Sequence, residues 1–110
     1  MKILHNKYEI EIIDDKSFSS KSSDNLTNYR FKYSGGQINK SRIYTINKRG
    51  VIVRDSDSGE ELSSAILFEN GGRTAVSHNI YEIENEKIWI SIGDKLYCLN
   101  IPDLTVAWFR

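Results

Sequence analysis

The sequence is poor in the residues that staple or break a chain, with one cysteine and one proline in 110 positions. A lone Cys98 closes no internal disulfide, which excludes a disulfide-stapled secreted scaffold and points to a reducing cytoplasm. His5, His78 and Cys98 are the only imidazole and thiol groups, and no local spacing links them. Structural zinc needs several such ligands, so neither a metal nor a cofactor is expected. No apolar run approaches the roughly 18 residues of a membrane-spanning helix. Glu9, Glu11, Asp14 and Asp15 follow the first residues without an apolar run or a small-residue cleavage site, so no signal peptide is expected. An amphipathic crossover of about 10 to 15 residues is also missing, which disfavours a βαβ design.

There is no excess of one charge sign either. The chain has 15 basic and 15 acidic residues, a formal net charge of zero, and this argues against avid nucleic-acid binding. The balance conceals a split: residues 1–55 carry eleven Lys or Arg against six Asp or Glu, a net of +5, and residues 56–110 carry four against nine, a net of −5.

What the chain does have is period-two alternation, the mark of half-buried strands. Tyr8, Ile10 and Ile12 alternate with Glu9 and Glu11. Tyr29, Phe31 and Tyr33 alternate with Arg30 and Lys32, which puts three aromatics on one face and two cations on the other. Residues 43–46 and Val51-Ile52-Val53 read as a hairpin turning at Asn47-Lys48-Arg49-Gly50. Residues 55–64 form a polar turn region, and Ala65-Ile66-Leu67-Phe68 fits either a strand or one helical turn. Ile80 to Ile83 is a strand. Ile88, Ile90 and Ile92 share a face, Gly93-Asp94 turns the chain, and Tyr97, Leu99 and Ile101 share a face of the next strand. Thr105 to Phe109 is a last strand with almost no charge. Residues 16–28 are serine-rich with little core material, and are expected to form a flexible loop. The sum is a single all-β domain over 1–110, an antiparallel sandwich or curled β-meander of about eight short strands.

Motifs that would carry chemistry fail on spacing. Asp55-Ser56-Asp57-Ser58-Gly59 opens like a calcium loop, but Gly59 stands at the fifth position and Ile66 at the twelfth, so it reads as an acidic turn. Gly71-Gly72-Arg73-Thr74 lacks the full phosphate-loop pattern. Ser77 and His78 lack the Gly-x-Ser-x-Gly setting of a hydrolase nucleophile. Cys98 alternates with Tyr97 and Leu99 in a strand and reads as a buried, inert thiol. No catalytic residue is assigned, and the chain is not read as an enzyme.

Residues 87–109 resemble one repeat of the quinoprotein-type β-propellers. The resemblance rests on Gly93-Asp94, the Leu96-Tyr97-Cys98-Leu99 strand, an acidic turn at Asp103 and Trp108, and covers about a fifth of the chain. Leu104 departs from it, because a glycine usually follows the acidic residue. Residues 64–108 are similar to small uncharacterised bacterial proteins with a Ser-Ala-Ile-Leu stretch (Ser64 to Leu67), a Gly-Gly pair (Gly71-Gly72) and a Cys-Leu-x-x-Pro-Asp-Leu ending (Cys98 to Leu104). Those proteins continue further, which would make this chain a truncated member or an isolated half. The propeller resemblance implies a local meander rather than a closed ring, since one repeat cannot close a propeller; the likeness to the small bacterial proteins suggests an immunity or housekeeping role, with no established activity to carry over.

The functional expectation is a non-catalytic protein-interaction module, with homodimerisation through the C-terminal strand as one form of it. The alternative is a small nucleic-acid-binding domain using the basic half. Its interaction surface would comprise Arg30, Lys32, Lys40, Arg42, Lys48 and Arg49.

Overall fold

The computed structural model describes residues 1–15, 29–34, 47–69, 81–93 and 95–109. The serine-rich loop at 16–28, the expected strand at 43–46, the Gly71-Gly72 pair and His78 lie outside the described residues. Among the described residues nine strands follow in order: β1 (Lys2–His5), β2 (Tyr8–Asp14), β3 (Phe31–Tyr33), β4 (Asn47–Asp55), β5 (Glu61–Glu69), β6 (Tyr81–Glu84), β7 (Lys87–Ile92), β8 (Lys95–Asn100) and β9 (Val106–Phe109). They form a five-stranded sheet in the order β1-β2-β4-β5-β3 and a four-stranded sheet in the order β6-β7-β8-β9. Every pairing is antiparallel except β3 with β5, which is parallel. Among the described residues, no helix is long and apolar enough to cross a membrane.

The two sheets face each other across one core, a roughly sandwich-like arrangement. Ile10, Ile12, Val51, Val53, Ala65 and Leu67 come from the first sheet; Ile88, Ile90, Ile92, Tyr97 and Leu99 come from the second. The alternating isoleucines of β7 all point inward and are fully buried, as their spacing predicts. The β6–β7 connection is a two-residue turn at Asn85-Glu86, both with positive φ, which matches the twist of the flanking strands.

Three local expectations need correction. Asn47 to Gly50 is not a turn: the segment is the start of β4, with Arg49 paired to Asp14 on one side and Leu67 on the other. Residues 61–69 are a strand throughout, which shortens the expected polar turn region at 55–64 and gives Ala65 to Phe68 the strand of their two readings. Val51-Ile52-Val53 and Ala65-Ile66-Leu67 lose their alternation because the middle of β4 and β5 is covered on both faces. Ile52 and Ile66 pack with Tyr29, Ile13 and Phe68 on the outer side of the sheet. A strand buried on both faces gives an unbroken apolar run that periodicity alone does not tell from a helix. Finally, the Tyr29, Phe31, Tyr33 series does not stay on one face. Strand β3 begins only at Phe31. Tyr29 covers the outer cluster, whereas Phe31 and Tyr33 stack on each other at 5.7 Å and pack against the inner core. The chain is fixed between them by the Arg30 amide, which donates to Ser64 Oγ at 2.9 Å.

The propeller-like resemblance is overturned by the architecture. Strands β6 to β9 do make an antiparallel meander. Its inner face, however, is sealed against a larger mixed sheet of different strand order, and both sheets are open. A blade packs against similar blades around an axis; here the core lies between two unlike layers. The molecule is neither propeller-like nor a curled meander.

Candidate interaction surface

The basic residues singled out in the sequence do not form one surface. Arg30, just before β3, and Lys32, at its centre, are exposed. Arg30 sits over the Phe31 ring, 5.4 Å from its centroid. Lys40 and Arg42 lie outside the described residues. Lys48 is half-buried, and Arg49 is only 2% exposed. Arg49 shares the inner face of β4 with Val51 and Val53, so its side chain runs between the sheets, where Nη1 donates to the Ser91 carbonyl of β7. Burial pulls the Arg49 guanidinium down from its ordinary range, and the Asp14 carboxylate opposes that shift.

A second buried polar contact lies on the same inner face. Glu69 closes β5 in phase with Ala65 and Leu67, and its Oε2 accepts a hydrogen bond from the Tyr97 hydroxyl of β8. Period two counted on from Ala65 and Leu67 places Glu69 inward, although its charge suggests a surface position in the sequence. Two polar contacts therefore bridge the sheets where β4 starts and β5 ends. Such groups are costly to bury unless satisfied, so they fix how the layers sit.

Further bridges tie the two sheets together elsewhere. Ser63 Oγ donates to the Asp103 carbonyl at 2.6 Å, and the Tyr33 hydroxyl donates to the Leu104 carbonyl at 2.9 Å. Burial and the nearby Asp103 carboxylate push the Tyr33 hydroxyl up from its ordinary range. His5 Nε2 and Asn6 Nδ2 both reach Glu86 Oε1, at 3.2 and 2.8 Å, joining the β1–β2 turn to the β6–β7 turn. The Asp55 carboxylate accepts from the Asp57 and Ser58 amides at 2.9 and 3.0 Å, and those bonds hold it below the usual carboxylate range. It is occupied as the cap of its own turn, which Gly59 closes with a φ of +75°. Among the described residues, no three His, Cys, Asp or Glu side chains gather to hold a metal ion.

The outer face of the second sheet is of a different kind. The register aligns Glu82 with Trp89, Trp89 with Cys98, and Cys98 with Trp108, so these four residues form one row across β6, β7, β8 and β9. The two indoles meet edge to face at 5.2 Å over the intervening thiol. Cys98 is buried beneath them on the side away from the core, and burial pushes its thiol up. Two of the four strands thus present an aromatic ring outward, both half-buried. At the end of the row, β9 is the edge of the sheet among the described residues. It carries Val106, which at 41% is one of two exposed large hydrophobic residues among those described; the other is Leu4, 74% exposed on β1 of the opposite sheet.

The four edge strands among the described residues differ in charge. Strand β1 carries Lys2, β3 carries Lys32, and β6 carries Glu82 and Glu84; Val106-Ala107-Trp108-Phe109 carries none. Charge on an edge is a common guard against pairing with another chain. Strand β9 lacks that guard.

No family model matches this sequence, and no curated protein and no solved structure is significantly similar to it.

Proposed function

We propose that the chain is a non-catalytic protein-interaction module whose contact surface is the β9 end of the second sheet. The observation that carries the proposal is an uncharged edge strand with an exposed Val106, continuous with the Trp89–Cys98–Trp108 row. Aromatic rings beside an open strand edge supply both elements of strand addition, backbone hydrogen bonds for affinity and side-chain contacts for selection. The nucleic-acid alternative is weaker, because Arg49 is withdrawn into the sandwich and leaves its basic stripe. The immunity-type role rested on the resemblance that the architecture overturned, and is not carried forward.

The test uses the full chain as bait in extracts of its source cells, with Val106→Lys and Leu4→Lys as matched variants. Both replace an exposed apolar residue by a cation, on opposite sheets. Val106→Lys should weaken capture of the bound protein at least about tenfold, while Leu4→Lys should leave it unchanged. Equal capture by wild type and Val106→Lys would rule out β9 as the contact surface.

A further inference from the structure

Taking β9 as the contact surface, we infer that its partner is a second copy of this chain, added antiparallel along the β9 edge so that the two four-stranded sheets become one of eight strands. The inference rests on the interaction reading above and names its partner.

Charge decides which edge can pair with itself. Two β6 edges brought together would set Glu82 and Glu84 of one copy about one strand spacing, roughly 5 Å, from those of the other, a like-charge contact. Two β3 edges would crowd their Lys32 side chains, since β3 has only three residues and Lys32 is the central one. Two β1 edges would each bring Lys2. Of the four edges among the described residues, only β9 meets its own copy with no charge on either strand.

Geometry favours the same arrangement. Adjacent antiparallel strands in one sheet are related by a two-fold axis perpendicular to that sheet, which keeps each chain's outer face on the same side. The Trp89–Cys98–Trp108 row of one copy would then run on toward the corresponding row of the other. Glu82, at the far end of that row, would lie about seven strand spacings from its counterpart, roughly 34 Å. That separation exceeds the screening length of about 8 Å at physiological salt, so the acidic ends do not oppose association. A four-residue edge is a small interface of the transient kind, so the dimer should form reversibly and depend on concentration.

Sedimentation of the full chain tests this. The weight-average mass should rise from 12.7 kDa toward twice that value as concentration increases from about 1 μM to about 1 mM. Val106→Lys should stay monomeric throughout, and Glu82→Lys, on the opposite edge, should behave as wild type. Ala107→Lys, at a second exposed position of β9, should also be monomeric, so the outcome does not depend on one variant folding. A wild-type mass fixed at 12.7 kDa would overturn the inference, as would a dimer that persists in both folded lysine variants. A monomeric wild type whose cellular partner is still lost in Val106→Lys would remove the second copy but leave the β9 surface standing. If neither self-association nor capture responds to Val106→Lys, both fall.

Discussion

Gly50 shows how a single position can mislead and then explain. In sequence it closes a polar run and reads as a turn glycine. In the fold it lies within β4 and is needed for close approach: a Cβ there would fall 2.2 Å from the Tyr29 hydroxyl oxygen and 2.7 Å from its ring carbon. The Tyr29 hydroxyl donates to Asp15 at 2.9 Å, so the ring is held over the strand by that bond as well as by Ile52 and Ile66. Gly50→Ala should therefore destabilise by about 1 to 3 kcal/mol, the usual cost of overpacking. Because the clash is with one side chain, Gly50→Ala combined with Tyr29→Ala should cost less than the sum of the two single changes. Urea unfolding of the three variants measures this; strict additivity would mean that the tyrosine is not what excludes the methyl group.

At the scale of elements, legibility followed solvent. Strand β7 has one wet face and one dry face, so Ile88, Ile90 and Ile92 announced themselves. Strands β4 and β5 are covered on both sides at their centres, and their apolar runs carried no phase. Arg49 and Glu69 were hidden for a related reason: a charged residue at an inward position breaks the pattern that would reveal the strand end. The Trp89–Cys98–Trp108 row depends on register between strands, which one strand's sequence does not contain; each residue was visible, their alignment was not. The β7 assignment makes a sharp prediction. Ile90 is fully buried between Tyr81 and Tyr97 in register, so Ile90→Ala should cost about 2 to 5 kcal/mol. An unfolding midpoint equal to that of wild type would contradict the inward face of β7.

At the scale of the whole molecule, the second sheet has two distinct faces. Its inner face is committed to the core with the first sheet, and polar bridges at both ends of the sandwich hold the layers in place. Its β9 edge carries no charge and exposes Val106, and that underlies the interaction proposal. The two strands β7 and β8 stand where the alternation places them, but the alternation says nothing about what the meander packs against. That is why a repeat resembling a propeller blade ends up as one layer of a two-sheet structure.

Amide hydrogen exchange across the second sheet is the most direct test, because β6 and β9 are the two edges of one sheet and serve as each other's control. As protein concentration is raised, or as captured partner is added back, the amides of Val106–Phe109 should become protected while those of Tyr81–Glu84 keep their exchange rates. Protection that stays constant at β9, or that rises equally at β6, would contradict β9 as the contact surface.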